Sequence, residues 1–474
     1  MNKKKELFKN TVIVAFGQIC TKFISFFLLP LYTTYLSSAE FGIVDLLNTY
    51  VSLLIPIFFL QIDQAVFRFL IDVREDENKQ KIYISNAFFI IIIQLISYFI
   101  FFLLFSIFLE NDYKIFLATN VIMCMLSSLS LQISRGLGDN VTYSKGSLIA
   151  GGGAVILNVI FITLLHMGAI GMLCATLLSN FLCLLYVTLK RKIYKYISKT
   201  LINKKEIKTL LKYSIPLIPN AISWWIINAS DRTIVSIILG VAINGVYSAA
   251  NKFSSICITI YSVFNLTWTE SAALHYKDKD NSQYFSELFN NTIKLFSFIC
   301  LFVITIMPFA FSFFIKGKDY SLAYYQIPIL MVATIFNIVV TFLGAIYISM
   351  KKSNEIAKTS IYSAIINIAT HLLLIKFIGL YAASISTLIA YFSMSIYRFM
   401  DIQKYIKITI DKKFIFIFFV ELSISLFLYY INNIYLNILS LLACIIIAIL
   451  YNKNTIKSLI LMLKKYLNKK LVLK

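Results

Sequence analysis

The sequence predicts an all-α polytopic membrane protein with about fourteen transmembrane helices, and three observations support this fold class. Of the 474 residues, 59% are hydrophobic and only 14% are charged, whereas about one-quarter of the residues in a typical soluble protein are charged. The mean hydropathy is +0.81. Apolar runs as long as the ~20 residues that a spanning helix needs recur along the chain.

Apolar runs between polar breaks define the fourteen candidate spans. The first follows the basic segment MNKKKELFKN and is too long for a signal-peptide core, and no small-residue cleavage site follows it. We therefore interpret it as a retained helix. The spans cover residues 11–32, 41–62, 83–109, 113–133, 147–166, 168–189, 213–239, 243–267, 291–315, 323–349, 359–377, 379–400, 414–431 and 433–451.

The distribution of basic residues predicts the orientation in the membrane. With both termini cytoplasmic, 36 of the 44 Lys and Arg residues fall in inside loops and tails, and four fall outside. This bias fits the positive-inside rule and predicts a cytoplasmic (inner) membrane protein. The net charge of +22 is thereby attributed to the cytoplasmic face and not to nucleic-acid binding.

An internal repeat relates the two halves of the chain. FGIVDLLNTY and NGVYSAANKF share the pattern x-G-x-x-x-x-x-N-x-aromatic, which aligns Gly42 with Gly245 and Asn48 with Asn251. A second match, at a similar offset, pairs Asn158 and Gly171 in one half with Asn367 and Gly379 in the other. Two matches in the same order predict duplication of a six-helix half, with the two copies oriented in parallel in the membrane.

The repeat and the loops predict the domain organisation. We expect an N-terminal six-helix bundle at 1–190, a basic cytoplasmic connector at 191–212, a C-terminal six-helix bundle at 213–400, and helices 13–14 with a basic tail at 401–474. The seven cysteines lie within apolar runs without CxxC or metal-ligand spacing. They are interpreted as buried apolar residues, so no metal or cofactor is predicted.

LPLYTTYLSSAEFGIVDLLNTY, the Asp-Arg pair of helix 7 and NGVYSAANKF together resemble the Wzx-type polysaccharide (O-antigen) flippases. This polysaccharide-biosynthesis transporter family belongs to the multidrug/oligosaccharidyl-lipid/polysaccharide exporter superfamily. The resemblance implies two six-helix bundles around a central cavity and translocation of undecaprenyl-diphosphate-linked oligosaccharide by alternating access. It also implies membrane lipids and other polysaccharide-assembly proteins as partners. One departure is that Trp268 lacks the Pro that often follows two residues later in the family.

Charged residues inside the spans are the candidate site. Lys22, Arg232 and Lys252 are predicted cavity cations that bind the substrate diphosphate, because charge at membrane depth is costly and usually functional. Asp231 is predicted to balance that charge or to take part in coupling. Because adjacent helical residues point about 100° apart, each member of the pair in WWIINASDRTIVSIILG needs a partner on another helix or water. The alternative is a structural pair between helices.

Two further charged residues close helix 2. Asp63 and Arg68 are placed at a solvated cytoplasmic boundary, and Arg68 is a candidate for guiding the anionic substrate at its entry.

Two other functions remain open. The first is a multidrug exporter of the same superfamily coupled to Na⁺ or H⁺, although cationic drugs favour acidic sites and the spans hold more basic residues. The second is a membrane polysaccharide polymerase or ligase, which would need a large extracytoplasmic loop. No such loop and no catalytic or nucleotide motif is present in the sequence, so the protein is not predicted to be an enzyme.

Overall fold

A computed structural model describes residues 23–24, 26–106, 112–276, 278 and 280–471, and every regular element in these ranges is helical. The all-α membrane fold is therefore confirmed. By their contacts the residues group into two compact units. The first comprises Met1–Ser248 with Lys316–Tyr320, and the second comprises Ala249–Ile315 with Ser321–Lys474.

The first unit is built from helices whose apolar faces enclose one core. They are α1 (Leu29–Tyr35), α2 (Ser38–Phe59), α3 (Ile62–Asp72), α4 (Glu77–Ser106), α5 (Lys114–Gly136), α6 (Asn140–Val159), α7 (Gly168–Arg191), α8 (Lys204–Ser214) and α9 (Ile218–Ile238). The first eight residues of α10 (Val241–His275) also belong to it. Buried side chains of α2 to α5, such as Ile62, Ile91 and Val121, form the centre of this core.

Two local features set the course of the chain around α2. Ser37 caps α2 in a capping box with Glu40, whose carboxylate accepts the Ser37 amide at 3.0 Å. At the other end, Leu60 and Gln61 both adopt left-handed backbone conformations and separate α2 from α3. The break leaves the carbonyl of Phe59 without a helical partner, and the buried Gln94 side chain donates to it at 3.2 Å. The predicted span at 41–62 therefore corresponds to α2, and α3 is a further helix directly after it.

The second unit continues with α10 and adds six helices in the described residues. They are α11 (Asn281–Phe314), α12 (Ala323–Ser349), α13 (Ser353–Ile378), α14 (Tyr381–Ile402), α15 (Lys412–Ile431) and α16 (Ile434–Leu471). The core is aromatic, and Trp268 stacks on Phe342 with ring centroids 4.3 Å apart. Trp268 also donates to the Phe342 carbonyl at 3.0 Å. Lacking the family's proline, α10 continues past Trp268 to His275.

Ten helices in the described part of the chain are long and apolar enough to cross a membrane: α2, α4, α5, α6 with its continuation to Leu164, α7, α11, α12, α13, α15 and α16. The predicted spans at 213–239, 243–267 and 379–400 are also helical, as α9, α10 and α14. The span at 11–32 lies largely outside the described residues, so the count of fourteen stays a prediction. The predicted domain boundaries also stay predictions, since they follow the sequence repeat whereas the compact units follow contacts.

Candidate functional site

The sequence repeat aligns Gly42 with Gly245, and in the first unit each of these glycines contacts the helix that carries the other. A Cβ atom on Gly42 of α2 would overlap the Val241 carbonyl oxygen of α10, and a Cβ on Gly245 would overlap the Ser38 carbonyl oxygen. The side chain of Asn244 donates to the Gly42 carbonyl at 3.0 Å. Glycine is required here because the two backbones approach too closely for any side chain. We call this crossing of α2 and the start of α10 the glycine seam.

An ion pair lies within one helical turn of the glycine seam. The Arg232 Nε atom of α9 is 2.7 Å from Asp45 Oδ2 of α2. Ser248 of α10 donates to the same carboxylate at 2.6 Å, and Arg232 donates a second bond to the Asn228 carbonyl at 2.8 Å. The side chains of Arg232 and Asp45 are 19% and 17% exposed, respectively. The pair therefore joins α2 to α9, and each of its two side chains keeps a small exposed fraction.

Asp231 points to a different helix from its neighbour. Asp231 is only 2% exposed, and its carboxylate accepts a hydrogen bond from the Tyr247 hydroxyl of α10 at 3.1 Å. On the same helix, Trp225 donates to the Thr49 carbonyl of α2 at 2.9 Å. Asp231 and Arg232 were each expected to need a partner on another helix or water, and in the structure each has a partner on another helix. Their roles in substrate binding and coupling stay predictions.

The segment Lys316–Tyr320 closes over the beginning of α2 in the same unit. The Lys316 amide donates to Thr33 Oγ1 at 3.0 Å. The hydroxyl of Tyr320, a fully buried residue, is 3.2 Å from the Leu36 carbonyl and 3.0 Å from the Ser37 carbonyl. Together with the glycine seam, these bonds hold the start of α2 from two sides.

Three other predicted site residues are Lys22, Lys252 and Arg68. Lys22 lies outside the described residues. Lys252 is half-buried on α10 and belongs to the second unit. Arg68 forms an exposed pair with Asp72 on its own helix at 2.6 Å, with 48% of its side chain exposed. The proposed roles of these three residues in substrate binding and entry stay predictions.

The placement of Asp63 at a solvated boundary is wrong. The residue is 7% exposed and lies in the first turn of α3, directly after the break at Leu60 and Gln61. Its carboxylate accepts hydrogen bonds from Ser128 of α5 at 3.0 Å and from Gln64 at 3.1 Å. The sequence pattern missed this because it ended the helix at residue 62, whereas α3 continues inside the unit to Asp72.

Two charged residues in the helices were missed by the sequence analysis. Asp45 stands in the repeat motif at the position equivalent to Ser248, so the repeat alignment itself pairs the two residues that are hydrogen-bonded. Arg398 was counted with the basic residues of a cytoplasmic loop. It is 1% exposed within α14 and donates to Thr359 Oγ1 at 2.8 Å and to the Val340 carbonyl at 2.9 Å. It therefore ties α14 to α12 and α13.

No cluster of three or more His, Cys, Asp or Glu side chains suited to a metal ion occurs among the residues that the structure describes. The site is instead a buried network of one arginine, two carboxylates, a hydroxyl and a phenol, built where three helices meet. A guanidinium that is partly exposed and balanced by a carboxylate can exchange that partner for another anion, because Arg binds carboxylate and phosphate oxygens with the same planar geometry.

Comparison with known proteins adds a family and a fold. The profile of a family described as polysaccharide biosynthesis protein matches residues 7–268. No curated protein sequence matches the chain.

Three solved structures share the fold at low sequence identity. An inward-facing MATE family multidrug resistance transporter of the MOP superfamily is similar at a TM-score of 0.65 and 14% identity, over 82% of this chain and 93% of that one. The lipid II flippase MurJ, in an inward closed conformation, is similar at 0.64 and 17% identity, over 95% and 100%. A MOP superfamily transporter from Pyrococcus furiosus is similar at 0.54 and 16% identity, over 83% and 96%.

Proposed function

The chain belongs to the polysaccharide biosynthesis protein family, and from this premise we propose that it is a flippase for lipid-linked oligosaccharide. The substrate is an undecaprenyl-diphosphate-linked repeat unit of O-antigen or another surface polysaccharide. It crosses the cytoplasmic membrane by alternating access with no bond made or broken, so the protein is not an enzyme. Both termini are cytoplasmic in this proposal.

The proposal rests on the family match together with the fold. The chain matches a polysaccharide-biosynthesis family, and its fold is similar to that of MurJ over 95% of this chain. MurJ is described as a lipid II flippase, and a lipid-linked oligosaccharide is a substrate that suits a membrane protein of a polysaccharide-biosynthesis family. The identity of 17% means that this likeness supports the fold, and the substrate is our inference from the family.

The Arg232–Asp45 pair supplies a chemical basis for recognising a diphosphate. A phosphate group that reaches Arg232 replaces Asp45 as its partner, because phosphate accepts the guanidinium donors bidentately. Asp45 then keeps only its bond from Ser248. Binding of the anion therefore removes an ion-pair contact that joins α2 to α9, and so couples substrate recognition to loosening of this part of the first unit.

Multidrug export is the second candidate, and the carboxylates are the observation that favours it. Asp231 and Asp45 flank Arg232, and a cationic drug would compete for these acids in place of a diphosphate competing for the arginine. A transporter of the same fold is described as a multidrug resistance MATE family transporter. The two proposals differ in the sign of the charge on the transported molecule.

The test is translocation by the purified protein in proteoliposomes. A polyprenyl-diphosphate oligosaccharide with a fluorophore on the sugar is quenched by membrane-impermeant dithionite only in the outer leaflet. We expect complete quenching with the protein and about half without it.

Arg232→Gln is expected to slow translocation at least about tenfold, because a hydrogen bond to a charged group contributes about 1.5–3 kcal/mol, and Arg232→Lys keeps part of the rate. The wild-type protein decides between the two proposals. If its vesicles quench only as much as protein-free vesicles and also take up a cationic dye, drug export replaces the flippase proposal.

A further inference from the structure

The connector, residues 191–212, carries a concentrated positive charge. It holds eight basic residues and one acidic residue, Glu206. The single arginine, Arg191, is 3.4 Å from Asp139. The other seven are exposed lysines that form no ion pair within the described residues: Lys192, Lys195, Lys199, Lys204, Lys205, Lys208 and Lys212. Such a cluster produces a positive potential that attracts anions from solution or from a surface.

The connector is held in one conformation by two buried side chains of α4. Ser85 donates to the Tyr196 carbonyl at 2.9 Å and accepts the Ser198 amide at 3.0 Å. Asn86 donates to the Leu201 carbonyl at 3.0 Å and accepts the Asn203 amide at 2.8 Å. Ser85 and Asn86 are 2% and 0% exposed. The lysines are thus presented on an ordered surface of the first unit and not on a free loop.

This clamp fixes the connector at the boundary of the apolar part of the fold. Ser85 and Asn86 directly precede the apolar run of α4 that begins at Ala87. The connector also starts at the end of α7, a candidate spanning helix. The connector is therefore tethered directly to the ends of two candidate spanning helices, where charged headgroups of a leaflet would act on it over about 8–10 Å in physiological salt.

The uncharged side chains of the connector agree with this location. Tyr194 is 54% exposed and Ile197 is 42% exposed, although the neighbouring Ile193 is fully buried. Exposed tyrosine and aliphatic residues among lysines are typical of the interface between headgroups and acyl chains. In α8, Ile207 and Leu211 pack on the core of the first unit, so its lysines are directed away from the protein.

We propose that the connector is a binding surface for anionic phospholipid headgroups of the adjacent leaflet. The partner is a lipid surface of negative charge, because the lysines supply charge, the clamp supplies order, and Tyr194 and Ile197 supply apolar contact. The inference concerns lipid binding alone and is independent of which substrate the protein transports.

The experiment measures lipids retained by the full-length protein in native mass spectrometry after exchange into mixed micelles. We expect phosphatidylglycerol to bind at least about tenfold more tightly than phosphatidylcholine, since each basic residue near an anionic surface contributes about 1 kcal/mol. The quadruple variant Lys192→Gln/Lys195→Gln/Lys199→Gln/Lys208→Gln should lose this preference. The same four positions changed to Arg should keep it, because the charge is retained.

The matched control neutralises four exposed lysines of the second unit: Lys358, Lys407, Lys412 and Lys413. It removes the same net charge and should leave the lipid preference unchanged. Equal loss in the control and in the connector variant would overturn the proposal, as would equal binding of phosphatidylglycerol and phosphatidylcholine by the wild-type protein. Displacement of the bound lipid by inorganic phosphate at millimolar concentration would assign the surface to soluble anions and also overturn it.

Discussion

Replacing Gly42 by Ala tests the glycine seam. The added methyl group would overlap the Val241 carbonyl oxygen and lie 2.8 Å from the Gly245 nitrogen, and both atoms are backbone atoms that cannot rotate away. Favourable contact needs about 3.5–4.0 Å, so α2 and α10 must separate by on the order of 1 Å. This stretches the 3.0 Å bond from Asn244 to the Gly42 carbonyl.

The expected cost follows from two contributions. Overpacking of a tight contact costs about 1–3 kcal/mol, and loss of one hydrogen bond adds about 1 kcal/mol. We therefore expect Gly42→Ala to lower the free energy of unfolding by about 2–4 kcal/mol in the sum of these terms. The midpoint of thermal unfolding in detergent, followed by circular dichroism, measures the effect.

Gly152→Ala is the matched control for this substitution. Gly152 is also helical, and a Cβ atom there would meet nothing within 4 Å. Alanine should stabilise α6 slightly, because glycine in a helix is about 0.5–1 kcal/mol less favourable than alanine. If Gly42→Ala unfolds at the same temperature as Gly152→Ala, the two backbones do not approach as closely as the structure shows, and the reasoning fails.

Three further predictions concern charged residues. Asp45→Asn should lower translocation and make the additional loss from Arg232→Gln smaller than in the wild type, because the two changes remove one interaction; additive effects in a double-mutant cycle would contradict the pairing. Lys294 lies 2.6 Å from Asp411, and its ammonium holds the pKa of that carboxyl below its ordinary value of about 3.9. The contribution of this pair to stability is therefore present above pH 4 and is lost as the pH falls through the lowered pKa. Asp411→Asn, which keeps the cap on α15, should reduce the acid sensitivity of thermal unfolding below pH 4, and an unchanged pH profile would contradict this. Arg398→Met should unfold at a lower temperature than Arg68→Met, because Arg398 is buried with its donors bonded to neutral oxygens and Arg68 is exposed; equal midpoints would contradict this.

The helices were largely predictable because a spanning segment is encoded locally. The run from Ala323 to Ser349 is apolar on all sides, and α12 is accordingly the most buried of the candidate spans. Boundaries were less predictable, since α3 and the extension of α10 to His275 depend on packing within a unit. Asp63 is an example. It lies at the end of an apolar run, so the sequence predicts that it is solvated, and only the fold shows that Ser128 is its buried partner.

The site was predictable only in part, for a related reason. Asp231 and Arg232 were found because charge within an apolar segment is visible in one dimension. Asp45, their counterpart in the network, is also charged but lies in a repeat motif that is defined by its glycine and asparagine. Its partner Ser248 stands at the equivalent position of the repeat, and the two side chains are hydrogen-bonded. Arg398 was misplaced because its neutral partners on α12 and α13 carry no charge signal.

The most direct test of the account combines translocation with a reversible lock across the first unit. Cysteines replace Thr49 of α2 and Trp225 of α9, whose indole donates to the Thr49 carbonyl at 2.9 Å, in a background without the seven native cysteines, and a short bis-methanethiosulfonate joins them. Dithionite quenching of the fluorescent polyprenyl-diphosphate oligosaccharide in proteoliposomes then reports translocation. We expect flipping before cross-linking, none in the cross-linked protein, and recovery on reduction. Equal flipping with and without the cross-link would contradict the proposal that α2 and α9 loosen during transport, and no flipping by the wild-type protein would contradict the flippase itself.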